Sequence, residues 1–203
     1  SEPPEDTHPY LSWKEIQAHG TRVHDGALVI PVFDRESLCS LQFIQPDGGK
    51  KFLSGGRIHG CCFLLGDTEN AERLCIAEGF ATGATVQQAT GYPVAVAFNA
   101  ENLEPVAKVM RERFPHLRLI VCADDDAETE GNAGLAKATK AARSAGGRLA
   151  VPDFGENRPD GATDFNDMAA VLGLDAVAKA VESASLPEEM DTEGGSSSVA
   201  SKE

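Results

Sequence analysis

The 203-residue chain is 41% hydrophobic and 25% charged, which is ordinary for a globular protein with one sizeable domain or two small ones. Its formal net charge of −14 argues against a uniformly basic nucleic-acid binder. Its five cysteines form no Cys-x-x-Cys pair, which argues against structural zinc and a disulfide framework. No apolar run approaches the length of a membrane span, and no signal peptide precedes the first predicted strand. We therefore expect a cytoplasmic protein with reduced thiols and no membrane partner.

The acidic charge is unevenly distributed along the chain. Residues 1–9 and 186–203 are rich in Pro, Gly, Ser and acidic residues, and this composition predicts two disordered tails. Between the tails, residues 10–66 carry six Lys or Arg against five acids, and residues 67–185 carry eleven against nineteen. We call these two parts the small unit and the large unit. Because Ser1 is not a methionine, we expect a processed chain or a piece of a longer one.

The small unit is predicted to be an α+β subdomain rich in β-structure. It starts with a short helix over residues 10–20, which ends at a glycine. Strands follow at 27–33 and 37–44, each bounded by turn-forming Asp, Gly, Pro and Ser residues. Residues 50–66 then alternate basic and apolar residues around glycines.

The large unit alternates short apolar strands with helices. The predicted strands cover residues 73–78, 93–98, 117–124 and 148–153, and the predicted helices cover residues 80–91, 102–115, 132–147 and 174–184. A further helix is predicted to start near Met168. Such alternation predicts an α/β fold with a parallel four-stranded sheet that is covered by helices on both faces.

Acidic residues cluster where these strands end. Glu78 ends the first strand, and the run Asp124, Asp125 and Asp126 ends the third. Because ligands of open α/β sheets collect at the carboxyl ends of the strands, we expect these acids at one edge. Alternate residues point the same way, so Asp124 and Asp126 should converge while Asp125 points aside.

Three adjacent aspartates repel one another unless a positive charge lies among them. Carboxylate oxygens at two strand ends are suited to Mg²⁺ or Mn²⁺, which also bind waters and substrate phosphates. The alternative is a solvated acidic loop that caps the following helix. The presence of Glu78 at the end of a neighbouring strand favours the metal site. Gly79, directly after it, would also let the backbone approach a phosphate or metal closely.

These motifs resemble the Toprim domain of primases, topoisomerases and some nucleases. In IAEGFATG and VCADDD, the family's Glu falls on Glu78 and its Asp-x-Asp on Asp124 and Asp126. The later TDFND is similar to the (K)DxND segment of phage and plasmid primases, with Thr163 where those relatives often have Lys. The resemblance implies that Glu78, Asp124 and Asp126 are catalytic metal ligands and that Asp164 is a fourth metal ligand.

The small unit resembles the basic subdomain that precedes Toprim in bacterial-type primases. Residues 26–56 match it, and Lys51-Phe52-Leu53-Ser54 stands at its Lys-aromatic-Leu-Asn/Ser segment. The resemblance is closest to the short primases of conjugative plasmids and phages. It implies a DNA-directed RNA polymerase, a nucleotidyltransferase that makes short RNA primers on single-stranded DNA from ribonucleoside triphosphates. Neither a zinc module nor a helicase motor is recognisable in the sequence. Template selection and coupling to DNA unwinding would then come from a helicase, another replication protein or a missing C-terminal domain.

Basic and polar residues near the predicted edge are candidate substrate ligands. Lys50, Lys51 and Arg57 could hold nucleotide phosphates or the template backbone, or they could form a solvated hairpin. Asn99 either faces the site or caps the following helix. Within TDFND we expect Asp164 to turn toward the acids, and Asp167 to start a helix near Met168.

Two other functions use the same residues. A Toprim nuclease would employ the same acids, with Glu78 as the acid/base and water as the nucleophile. A non-catalytic module would bind metal or single strands without chemistry. A topoisomerase is disfavoured, because neither of the two tyrosines, Tyr10 and Tyr92, has the setting of a nucleophile in a partner domain.

Overall fold

The computed structural model describes residues 8–126 and 132–187. The predicted tails over 1–7 and 188–203 lie outside the described residues, as do Glu128 and Glu130 of the acidic loop. His8 and Pro9, which the sequence assigns to the first tail, belong instead to the ordered start of a helix. The His8 ring accepts the Tyr10 N–H and contacts the Gly26 carbonyl oxygen, so it is buried.

In the small unit, one helix precedes four short strands. They are α1 (Pro9–Lys14), β1 (Arg22–His24), β2 (Ala27–Asp34), β3 (Ser37–Ile44) and β4 (Lys50–Phe52). The strands pair antiparallel in the order β1-β2-β3-β4. Helix α1 is shorter than predicted because Glu15 adopts a left-handed backbone conformation, with φ of 53°, directly after Lys14.

The large unit contains the alternation that the sequence predicts. Its elements, with one strand from the preceding segment, are β5 (Phe63–Leu65), β6 (Arg73–Ala77), α2 (Phe80–Thr90), β7 (Val94–Val96), α3 (Leu103–Arg113), β8 (Arg118–Cys122), α4 (Ala133–Ser144), β9 (Arg148–Ala150), α5 (Phe165–Leu172) and α6 (Leu174–Glu182). Two 3₁₀ turns, Ala100–Asn102 and Gly155–Asn157, precede α3 and α5.

The second sheet has five strands in the order β5-β7-β6-β8-β9. Strands β6, β7, β8 and β9 are parallel, so the predicted parallel four-stranded sheet is confirmed. Strand β5 is an addition that the sequence did not reveal, since it pairs antiparallel with β7 from within the segment assigned to the small unit.

Helices cover both faces of this sheet, and each face has its own core. Alternate residues of β6 separate accordingly: Cys75 and Ala77 join one core, and Leu74 and Ile76 join the other. The first core contains residues of α2, α5 and α6 and is continuous with α1, β2 and Ile44 of the small unit. The second contains residues of α3 and α4. The small unit therefore packs on the face that carries α2 and α5, while the unit boundaries at 66 and 185 stay predictions.

The described residues include no helix that is both long and apolar enough to cross a lipid bilayer.

Candidate functional site

The acids follow neighbouring parallel strands at one edge of the large sheet. Ala77, the last residue of β6, pairs with Cys122, the last residue of β8, so Glu78, one residue past β6, and Asp124, two residues past β8, leave the sheet at the same edge. Thr82 in the first turn of α2 donates its hydroxyl to Asp164 Oδ2 over 2.8 Å. The chain thus brings Asp164, which lies 86 residues after Glu78 in sequence, to the same edge.

Burial and mutual repulsion dominate the electrostatics of these carboxyl groups. Burial raises the pKa of Asp124 to about 8, with further increases from Glu78, Asp164 and Asp126 and a decrease from Lys50. The pKa of Glu78 is also raised, first by burial and then by Asp126, while Lys50 and the Ala100 N–H oppose the increase. Asp124 Oδ1 is buried without a hydrogen-bond partner. The edge therefore holds several carboxyl groups, and the positive charge of Lys50 offsets only part of their mutual repulsion.

Asp125 has a different environment from its neighbours, as the alternation along the strand predicts. Arg158 Nη1 donates to its Oδ2 over 2.6 Å, and Arg158 Nη2 donates to its backbone carbonyl. Asn132, the N-cap of α4, donates from Nδ2 to Asp125 Oδ1 over 2.6 Å and accepts the Asp126 N–H over 3.0 Å. Arg158 thus neutralises the middle aspartate, whereas Asp124 is close enough to Glu78 and Asp126 for both to raise its pKa.

Arg158 also holds the loop that leads to Asp164. Its Nε donates to the Ala162 carbonyl over 2.8 Å, and its guanidinium lies 5.0 Å from the centre of the Phe154 ring. The Asp125 N–H donates to the Thr163 carbonyl over 2.7 Å. The aspartate run and the TDFND segment are therefore tied together, and the sequence reasoning missed this role because no spacing rule links Arg158 to Asp125.

Helix α5 begins earlier than predicted, and this changes the roles of its two aspartates. Its N-cap is Asp164, whose Oδ1 accepts the N–H groups of Asn166 and Asp167. Asp167 completes a capping box through the Thr163 and Asp164 N–H groups, and it also lies 3.9 Å from Lys14 Nζ. The expectation that the helix starts near Met168 was therefore wrong, since α5 begins at Phe165 and Asp164 caps it as well as facing the acids.

The structure separates the four candidate substrate ligands. Lys50, at the start of β4, is near enough to lower the pKa values of Glu78 and Asp124. Lys51 lies 5.9 Å from the centre of the Phe43 ring, and Arg57 is ion-paired with Asp34 over 2.5 Å. Asn99 caps the 3₁₀ turn by accepting the Asn102 N–H over 3.0 Å. Of these four, Lys50 is the one whose charge reaches the acids.

The donor chemistry of the edge fits a hard divalent cation. All the facing groups are carboxylates, and the buried, unpaired Asp124 Oδ1 lacks the partner that a cation would supply. Within residues 8–126 and 132–187, no three His, Cys, Asp or Glu side chains form a group that could hold a metal by themselves. Mg²⁺ usually takes one or two carboxylates and completes its shell with water and substrate phosphates.

Substituting Asp124 by Asn should stabilise the metal-free protein by about 0.5–2 kcal/mol. The folded-state pKa of Asp124 is raised from 3.8 to about 8, so its ionisation opposes folding increasingly as pH rises between these values. The gain in melting temperature should therefore be absent below pH 4 and largest at pH 8. Thermal melts in a chelator across this range test it, with Asp160→Asn at an exposed loop as the control. Equal melting temperatures for Asp124→Asn and the wild type at pH 8 would contradict it.

The sequence profile of the Toprim domain family matches residues 73–175, which include the strands and acids of this edge. The chain belongs to the Toprim family. The resemblance inferred from Glu78, Asp124 and Asp126 is thus confirmed at the level of the family.

Two curated relatives match a larger share of the chain than the Toprim profile does. Both are DNA primase TraC of Escherichia coli, 36% identical over 162 residues and 38% identical over 163 residues. The matches cover 73% and 75% of this chain but only 15% and 11% of the relatives. The chain therefore corresponds to a small part of these long primases.

Solved primase structures share the fold. A structure of the bacteriophage T7 lagging-strand DNA polymerase interacting with primase domains of two gp4 subunits contains a chain that matches with a TM-score of 0.58 and 19% identity, over 81% of this chain and 82% of that one. The Aquifex aeolicus primase matches with a TM-score of 0.56 and 14% identity, over 78% and 40%. The DnaG primase catalytic domain bound to single-stranded DNA matches with a TM-score of 0.53 and 15% identity, over 89% and 62%. At these identities, the likeness establishes the Toprim fold alone.

Proposed function

We propose that this chain is the catalytic core of a DNA primase, which makes short RNA primers on single-stranded DNA by metal-dependent nucleotidyl transfer. The observation that carries the proposal is the acid edge itself, where Glu78 and Asp124 lie in the field of Asp126 and Asp164 with Lys50 of the small unit beside them. The similarity to DNA primase TraC, which covers about three quarters of this chain, supports primase chemistry over the other Toprim activities.

The reaction joins a 3′-hydroxyl to the α-phosphate of a ribonucleoside triphosphate and releases pyrophosphate. A bound Mg²⁺ or Mn²⁺ would neutralise charge on the phosphates, and carboxylates drawn from Glu78, Asp124, Asp126 and Asp164 would hold it. Lys50 enters from the small unit and would contact phosphates of the incoming nucleotide or of the template. Arg158 and Asn132 hold Asp125 away from the reacting groups, so that one carboxylate of the run does not repel the substrate.

The proposal includes the partners of the reaction. The template is single-stranded DNA and the substrates are ribonucleoside triphosphates, in the cytoplasm of a cell that carries a plasmid, phage or other mobile element. The matched TraC proteins are several times longer than this chain. We therefore propose that a helicase, another replication protein or a further domain supplies template selection and coupling to the replication fork.

The decisive test is primer synthesis. The protein is incubated with a single-stranded template, labelled ribonucleoside triphosphates and Mg²⁺ or Mn²⁺, and the products are resolved by length. RNA that depends on both template and metal supports the proposal. Cleavage of DNA or RNA without nucleotides would instead identify a Toprim nuclease, and single-strand binding without either product would identify a non-catalytic module.

The basic residues of the small unit are expected to differ in how much they contribute to template binding. Neutralising Lys50 and Lys51 together should reduce the magnitude of the slope of log affinity against log salt by roughly 1.4. Each phosphate contact to a single strand contributes about 0.7 to that slope through counterion release, and the double variant would lose two contacts. Arg57→Ala should change the slope little, since Arg57 is already paired with Asp34. Fluorescence anisotropy with labelled single-stranded DNA at several salt concentrations measures both. Equal slopes for the double variant and the wild type would show that neither lysine contacts the template.

A further inference from the structure

The C-terminal end of α1 lies directly against the first turn of α5. The Lys14 carbonyl belongs to the last turn of α1, where backbone carbonyls have no partner within the helix. Asn166 supplies the missing donor, because its Nδ2 donates to Lys14 O over 2.8 Å and also to Thr85 Oγ1 of α2 over 2.9 Å. Only 7% of Asn166 is exposed. One buried amide group therefore connects the small unit with two helices of the large unit.

The same residue is part of the turn that Asp164 caps. The Asn166 N–H donates to Asp164 Oδ1 over 2.8 Å, and the other oxygen of Asp164 accepts the Thr82 hydroxyl. Phe165, fully buried in the core, fixes how deeply α5 sits, but an apolar ring gives little control over rotation about the helix axis. The two directed hydrogen bonds of Asn166 supply that control. The rotation of α5 in turn determines where the Asp164 carboxylate points.

We propose that Asn166 is a positioning residue that holds Asp164 in its productive orientation by fastening α5 to α1 and Thr85. The inference rests on the proposed role of Asp164 in the acid site. It makes α1 a working part of the catalytic core through the Lys14 carbonyl, which the Asn166 amide holds.

The chain offers a matched control for this inference. Gln88 of α2 is also an amide side chain that joins the large unit to the segment after α1, since its Oε1 accepts the Gln17 N–H and its Nε2 donates to the Glu15 carbonyl. Gln88 makes no contact with α5 among these bonds. Asn166→Ala and Gln88→Ala both weaken the attachment of the N-terminal segment, but only the first should disturb Asp164.

The experiment compares Asn166→Ala, Thr85→Val and Gln88→Ala with the wild type below all melting transitions. In Asn166→Ala, the Asp167 amide that Asp164 caps should exchange with solvent at least about tenfold faster, and divalent affinity by calorimetry should fall about 10- to 100-fold. Primer synthesis should lose kcat by a similar factor, with the KM for nucleotides nearly unchanged. Thr85→Val, which removes one of the two partners, should show a smaller change in the same direction. Gln88→Ala should match the wild type in all four measurements.

Amide exchange and divalent affinity need neither template nor nucleotide. If the wild type makes no primers but Asn166→Ala still differs from Gln88→Ala in these two measurements, the primase proposal fails and the positioning role holds. If Asn166→Ala and Gln88→Ala behave alike in amide exchange, divalent affinity and kcat, the positioning role is overturned whatever the reaction is.

Discussion

Replacing Glu78 by Gln, or Asp124 by Asn, should reduce primer synthesis by about 10²–10⁴-fold while leaving the fold intact. Each substitution preserves the shape of the side chain and removes one negative charge from the group that would hold the metal. Because burial and like charges already raise the pKa values of both residues, the wild-type site binds protons readily, and activity should also rise with pH toward 8. Rates at several metal concentrations, from pH 6 to pH 9, test both expectations.

The exposed Asp160→Asn is the control for these measurements, since Asp160 lies in the loop before the TDFND segment and outside the acid edge. Its activity should stay within about twofold of the wild type. Retention of more than a tenth of the activity in both Glu78→Gln and Asp124→Asn would remove these residues from the chemistry.

Arg158→Ala should be the most damaging substitution outside the acids themselves. It leaves Asp125 without its cation and breaks the bond to Ala162, so we expect a loss of about 2–3 kcal/mol in the free energy of unfolding. Activity should fall by about 10²-fold or more at temperatures where the variant is folded, because the aspartate run and the TDFND segment lose their connection. Denaturant titration and primer synthesis on the same samples measure the two effects.

Two further variants separate charge from geometry at this position. Arg158→Lys keeps the charge but lacks the planar fork that serves the Asp125 carboxylate and carbonyl, so it should recover only part of the stability. A double-mutant cycle of Arg158→Met with Asp125→Asn should give a coupling above about 0.5 kcal/mol. A coupling near zero would show that Arg158 acts independently of Asp125.

The sequence predicts the parallel sheet well because β6, β7 and β8 are buried along almost their whole length and are therefore almost entirely apolar. It does not predict β5, because Phe63–Leu65 follows a glycine-rich segment and pairs with Val94–Val96, a partner about thirty residues away that no local pattern indicates. The end of α1 was also missed. Glu15 adopts a left-handed backbone conformation, which is uncommon for a residue with a Cβ. The helical sequence pattern therefore continues past the residue at which the helix ends.

Glu78 and Asp124 were predictable for a physical reason: each comes within two residues of the end of an apolar strand, and parallel strands end at one edge. The groups that orient them were not. Arg158 lies in an irregular loop 33 residues from Asp125, and Thr82 reaches Asp164 across 82 residues. Gly134 is another residue that positions the acids without a signal in the sequence. A Cβ there would lie 2.7 Å from the Asp124 carbonyl oxygen and would push α4 away from the aspartate run. The N-cap role of Asp164 had a local signal in the Asp-x-x-Asp spacing, which resembles a capping box.

The borders of the five-stranded sheet bear on how copies of this protein behave toward one another. A sheet border with unpaired backbone groups invites a strand from another molecule. On one side, β5 is only three residues long, and on the other, Leu149 of β9 exchanges two backbone hydrogen bonds with Ser185, at 2.8 Å and 3.1 Å. Pro187, two residues further on, has no N–H with which to extend that pairing. A chain shortened to end at Glu182 would uncover β9 beside the apolar side chains of Leu135 and Val151, and would aggregate through that border.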